Sequence, residues 1–552
     1  MKEYLPIPFP RGVDVSKDSN PAIRLFGKRF IVDQPIPELL VEFLLVVYSE
    51  KKIGEAHNGI AGPLPALEQI KEWPDGRQLS YRPILKMNLK LFAFLSSSRL
   101  DTRHEVHIDH FQRLWHMLQK EIYSVNYDGE QVVEWLEDLL RGFKGAGLTR
   151  TWCAQSFFPI ATSLLTPETI WNETKAKNDP VSSWHDSLRD FNKYYSTSRR
   201  NFLARGGEVL YLQLCNAFSR DQTEVEAFSR SFRVSQRERC LRALHEDLRS
   251  GLELLYGRHD GILNSLVKHI ESLDPETAKM ASQNSRWLDC EWCPEESWQE
   301  GYLFALELKR LLLTALDPVE KLELMMTGCA LQVLRSLCAQ SARTARESTR
   351  LGGGFGYSWI YTPAFNPSRS LMLTSQRNLQ VILGLLQKAI RSDALLRNAK
   401  EIEEPSGRRT IDQILKEADD KYGYKLFRLL GKRLGMIVPY KGPGARFVMT
   451  DSLLRYFVLT LLEPRESCSY DDFLDRLYRN HGIAVEGENL RDSILWSNLP
   501  PNLSTQYEDS SWLREMLRAG GFLTELSDGY SVVTNTFDMV QAKEEVRDEI
   551  SS

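Results

Sequence analysis

The chain holds 552 residues, length for about two to four structural units of ordinary size. Apolar residues make up 42% and charged residues 26%, a globular balance rather than a disordered one. The 70 basic and 74 acidic side chains leave a formal net charge of -4. This excludes whole-molecule attraction to a nucleic acid, so any such contact must come from a local patch.

Residues 1–30 read as an extended, proline-rich arm, punctuated by Pro6, Pro8 and Pro10, that packs on the body. They lack the long apolar run of a secretory signal. No stretch reaches the roughly 18 consecutive apolar residues of a membrane span; the best candidate, residues 39–48, is short and interrupted by Glu42. The eight cysteines are scattered without a compact framework, as expected of reduced thiols in a cytoplasm. A cytoplasmic protein without membrane contact is expected.

Residues 31–148 read as an N-terminal helical domain. Phe111, Leu114, Trp115 and Leu118 recur at three- and four-residue steps, the spacing of one helix face. Gly142, Gly145 and Gly147 end the pattern. Residues 149–400 read as a central helical domain, its periodicity interrupted at Gly206 and Gly207, with a glycine-rich loop over 351–363. Residues 401–409 (EIEEPSGRR) have the composition of a linker.

Residues 410–465 and 466–540 are expected to form two winged-helix-like units, followed by a charged tail over 541–552. In the second, Ser469 caps an amphipathic helix. Residues 513–518 end another helix at Gly520 and Gly521. Residues 522–526 and 530–534 then flank Asp528-Gly529, a turn pair favoured in hairpins. In the first, a helix ends at Gly435, residues 436–439 and 445–450 form a candidate hairpin, and Asp451 is read as the cap of the next helix. The predicted fold is mainly α: a multi-domain helical body with C-terminal α+β winged-helix-like units.

Motifs for chemistry are sparse. There is no G-x-x-x-x-G-K-[ST] phosphate loop, no G-x-S-x-G elbow and no H-E-x-x-H. Cys290 and Cys293 have the spacing in which two thiolates share a zinc ion, but no second pair accompanies them, and ordinary thiols are the preferred reading. His104, His107 and His110 are read as part of a solvated polar helix face. Asp419-Asp420 and Asp471-Asp472 are adjacent on helices, where neighbours point about 100° apart and do not converge on one metal. No catalytic residue, metal or cofactor is assigned. Nucleic-acid contact has two candidate surfaces. Lys425, Arg428, Lys432 and Arg433 line one helix, with Lys441 in the following turn and Arg446 on the next strand. Around the glycine-rich loop, Arg343, Arg346 and Arg350 would hold phosphates while Tyr357, Trp359 and Tyr361 stack on bases; the alternative docks these aromatics on another domain or a partner.

Segments 194–214 (YYSTSRRNFLARGGEVLYLQL), 435–439 (GMIVP) and 446–450 (RFVMT) resemble large helical accessory proteins of bacterial anti-phage defence operons. That resemblance covers about a third of the chain and carries over no catalytic residue. It implies partners from the same operon: a helicase or other ATPase, and a nuclease. The leading expectation is a non-enzymatic DNA- or partner-binding subunit of such a system. The alternatives are a divergent metal-dependent nuclease with carboxylates from distant segments, and a pure scaffold.

Overall fold

The computed structural model describes residues 5–55, 59–89, 103–122, 125–141, 152–154, 157–196, 205–256, 261–345, 352–403, 407, 409–499, 511–526 and 530–540. Helices dominate, joined by a few small sheets, as a mainly α chain with α+β units requires.

The trunk is built on five helices: α1 (Ile36–Tyr48), α2 (Gly206–Phe218), α3 (Trp298–Leu313), α4 (Pro318–Ala345) and α5 (Arg369–Ile390). α2 packs on α1 and α3, and α4 on α1, α3 and α5. Every residue of α2 is buried, because neighbours cover all its sides. Gly207 explains how α1 comes so near: a Cβ there would fall 2.7 Å from the Leu39 carbonyl oxygen. The amide of Gly207 donates to Glu42 Oε2 at 2.8 Å, so a buried carboxylate caps the start of α2, where the helix dipole favours it. The glycines that interrupt the sequence pattern therefore begin a helix. α4 is long and apolar enough to cross a membrane, but 89% of its apolar window is buried inside the protein, as in a core helix.

The N-terminal arm joins this body by pairing Pro8–Phe9 with Cys293–Pro294. A lobe built from described residues of 85–196 and 261–284 carries two smaller cores, one around Phe111, Leu114 and Ile270 and one around Trp171, Trp184 and Tyr195. In its helix Glu105–Glu121, His107 and His110 are 2% and 0% exposed. This corrects the solvated-face expectation. His110 stacks on Trp184 at 4.2 Å and its Nε2 lies 3.2 Å from Asp274 Oδ2. The two imidazoles share the inward face with Phe111 and Leu114. The glycines expected to end this domain lie outside the described residues.

Among the described residues of the predicted linker, 401–403 are helical. The helix Asp393–Glu403 runs into it, and Arg409 pairs with the buried Glu403 at 2.9 Å.

The C-terminal quarter contributes two small sheets. The strand β1 (Trp359–Pro363), the helix α6 (Tyr424–Arg433), and the strands β2 (Ile437–Val438) and β3 (Arg446–Met449) come first. Next are α7 (Asp451–Leu461), β4 (Ser467–Ser469), α8 (Tyr470–His481), β5 (Ile483–Ala484) and α9 (Gly487–Trp496). Last are α10 (Ser511–Ala519), β6 (Leu523–Glu525) and β7 (Ser531–Thr534).

One sheet has the order β2-β3-β1-β5 and the other β4-β7-β6. Both predicted hairpins are present: Ile437 pairs antiparallel with Phe447, and Thr524 with Val532. The Asp528-Gly529 turn lies outside the described residues. The first hairpin is not free-standing, because β3 runs parallel to β1 with Phe447 opposite Tyr361. In the second sheet β4 closes on β7, with Cys468 opposite Val533. Ser469 Oγ accepts the Asp472 amide as the expected cap. At α7 the cap is Thr450, whose hydroxyl accepts from Leu453 N, and Asp451 is the first helical residue.

Candidate nucleic-acid interface

The helix α6 buries Leu426, Phe427 and Leu430 and turns Lys425, Arg428 and Lys432 the other way. Steps of three and four residues put these cations on one face. Lys425 is 59% exposed and has a 3.6 Å ion pair with Asp420. At the tip of the following hairpin, Lys441 is exposed beside Tyr440. Lys432 donates to the Tyr440 carbonyl at 2.7 Å, bracing that tip against the helix; burial, then the neighbouring Arg428 charge, lowers its pKa. The other two predicted cations also make contacts within the chain. Arg433 donates to the carbonyls of Val32 and Gln34 at 3.1 and 3.2 Å. Arg446 donates to Thr362 Oγ1 and the Ala364 carbonyl, at 3.3 and 3.1 Å. Both tie chain segments together.

The aromatic surface expected after the glycine-rich loop is not a surface. Tyr357, Trp359 and Tyr361 are each 0% exposed. Alternate residues of an extended segment point to one side, here against Phe427 of α6 and Phe447 of β3, at ring distances of 5.9–6.2 Å. Base stacking by Tyr357 and Trp359 is thereby excluded in this fold; they dock within the chain. Arg343 pairs with the buried Glu300 of α3. Arg346 and Arg350 lie outside the described residues. The loop itself seats against α8: Gly354 N donates to the Arg479 carbonyl at 3.1 Å. Gly353 has φ +59°, and a Cβ there would sit 2.7 Å from the Tyr478 carbonyl oxygen, so both its backbone angle and its surroundings require glycine.

A second charged surface is assembled from segments remote in sequence, and only its Arg476 and Arg479 stand out as basic residues of a terminal helix in the sequence. A cleft of about 560 Å³ opens between the segment 230–239 and the C-terminal unit. Six arginines line it (Arg230, Arg233, Arg239, Arg310, Arg476 and Arg479), against three glutamates (Glu238, Glu463 and Glu466). Its floor is an ion-pair network. Arg310, buried on α3, donates to both oxygens of Glu238 at 2.8 and 2.7 Å. Lys309 reaches Glu238 at 3.2 Å and Glu463 at 2.9 Å. Burial alone would raise the Glu238 pKa, but the Arg310 charge and hydrogen bonds, with Lys309, hold it well below the usual carboxylate range.

The paired carboxylates have structural partners: Arg391 holds Asp419, and Arg233 and Arg476 hold Asp472. Cys290 and Cys293 are buried. Burial pushes the Cys293 thiol up to about 12 and Cys290 well above its ordinary value, so both stay protonated at neutral pH. Among the described residues, no three His, Cys, Asp or Glu side chains are placed to hold one metal ion. The chain matches no known protein family, and neither curated proteins nor solved structures contain a match for it.

Proposed function

We propose that the chain is a non-enzymatic DNA-binding subunit of a multi-protein bacterial anti-phage system, acting in the cytoplasm beside an ATPase and a nuclease. The observation that carries the DNA reading is the basic face of α6, with Lys425, Arg428 and Lys432, continued by the exposed Lys441 at the tip of the next hairpin. A helix and an adjoining hairpin that both present cations match the way winged helices meet duplex DNA. The order α7-β4-α8-β5-α9-α10-β6-β7, with β4 closing on β7 and β5 pairing with β1 of the other sheet, also supports winged-helix character for the second unit. The defence role rests on the resemblance of segments 194–214, 435–439 and 446–450.

Fluorescence anisotropy of the full chain with duplex DNA, repeated across a salt series, tests the reading. Reversing Lys425, Arg428 and Lys441 to Glu should weaken binding and reduce the slope of log K against log[salt] by about 2–3, from about 0.9 per phosphate contact. Equal affinity and slope in wild type and variant would discard DNA contact by this face. A specific feature favours protein docking as the second reading: Tyr440 and Phe365 are 57% and 86% exposed, and exposed aromatics anchor protein interfaces.

A further inference from the structure

We propose that the arginine-lined cleft is a binding site for a phosphate-bearing ligand of nucleotide size, separate from the α6 face. Its three glutamates already have partners. Glu238 is held by Arg310 and Lys309, Glu463 by Lys309 and by the Ser235 hydroxyl at 3.3 Å, and Glu466 by Arg476 at 2.8 Å. Arg230 and Arg239 make no ion pair among the described residues. Arg239 Nε is buried without a hydrogen-bond partner there, and a guanidinium donor in that condition is costly unless an acceptor meets it. Arg233 is held by Asp472 of α8 at 3.2 Å, and Arg479 by Asp475 at 2.7 Å and by the Ser231 carbonyl, to which it donates at 3.3 Å. They remain 65% and 46% exposed.

The charge is therefore polarised. Asp471, Asp472 and Asp475 line an adjoining shelf that shares Arg233, Arg476 and Arg479 with the cleft, which leaves Arg230 and Arg239 as the cations furthest from carboxylate competition. Apart from the buried Lys309 of the floor network, the cations of the cleft are arginines, whose planar fork pairs with two oxygens at once. A phosphate dianion offers two charges and several acceptors to such a cluster, where a single carboxylate offers one charge. The volume of about 560 Å³ falls within the range of about 300–1,000 Å³ usual for small-molecule sites. One wall belongs to the trunk and the other to α8 and the turn before β4, so an occupant would bridge them.

The test is isothermal titration calorimetry on the full chain at low salt, with three probes: inorganic pyrophosphate, ATP, and a short single-stranded oligonucleotide. Pyrophosphate and ATP should bind. Arg230→Gln and Arg239→Gln, alone and combined, should weaken them about tenfold or more, as expected for loss of a charge-assisted hydrogen bond. Unchanged thermal midpoints would show that these variants fold, and Arg233→Gln, at an exposed position, provides a further variant. Binding of the oligonucleotide alone, lost in the same variants, would also support the site and identify strand phosphates as its source. No binding of any probe, or binding indifferent to these arginines, overturns the proposal. The Lys425, Arg428 and Lys441 reversal should leave pyrophosphate affinity unchanged, so either surface can fail without the other. Pyrophosphate binding lost in that reversal and kept in the arginine variants would overturn the assignment to the cleft.

Discussion

Gly207 and His481 show how single residues are constrained by what surrounds them. At Gly207 the only side chain that fits is none, since α1 lies against its Cα. Gly207→Ala should destabilise the chain by about 1–3 kcal/mol or more, the usual cost of overpacking a filled core, read as a lowered thermal midpoint. A midpoint equal to wild type would mean that α1 and α2 separate freely. His481 is 1% exposed at the end of α8. Burial first, and the Arg335 charge second, hold its pKa well below the ordinary value. An unfolded imidazole titrates near about 6.5, so between that value and the native one the unfolded chain binds the extra proton. Stability contributed by the neutral ring is thus fully present above about pH 7 and is lost as pH falls. Thermal midpoints measured at about pH 7 and pH 5 should fall less in His481→Gln than in wild type, by up to about 1.4 kcal/mol per pH unit. Parallel pH profiles would show that His481 does not carry the effect.

Elements whose cause is local were legible in the sequence. The Ser469 cap, the helix end at Gly521 and both hairpins follow from short-range chemistry: a hydroxyl reaching an amide three residues on, a left-handed glycine, apolar runs on either side of a turn. Ser469→Ala should cost about 1 kcal/mol through loss of the cap, and Ser469→Asp should restore most of it; thermal unfolding measures both. Equal midpoints in all three proteins would remove the cap from the account of α8. Elements whose cause is remote were misread. The segment 351–363 has the glycines and aromatics of an exposed loop, yet its end supplies the inner strand β1, because β3 and β5 arrive from residues about a hundred positions later. Parallel pairing across such a separation leaves no mark in either segment alone. The histidines of Glu105–Glu121 were misread for a related reason: polarity placed them outside, while Trp184 and Asp274 hold them inside.

At the scale of the whole molecule, the same remoteness hid the arginine cleft, whose lining comes from 230–239, 310, 463–466 and 476–479. It also hid what fastens the C-terminal quarter to the trunk. Glu307 of α3 and Arg335 of α4 are 2% and 0% exposed and paired at 2.6 Å. Tyr456 of α7 donates to Glu307 Oε2 at 2.9 Å, and His481 of α8 lies 3.4 Å from Oε1. One carboxylate of α3 thus meets one other trunk helix and two C-terminal helices. Removing it strands a buried guanidinium, for which about 3–5 kcal/mol is typical, whereas replacing both charges by apolar groups is often nearly neutral. Glu307→Gln should therefore lower the thermal midpoint sharply and expose the C-terminal quarter to limited proteolysis first. Glu307→Leu combined with Arg335→Met should recover much of the loss, which a double-mutant cycle would report as a coupling of at least about 1 kcal/mol. Additive losses would mean that the two charges do not depend on one another, and the junction would then be held by its apolar contacts alone.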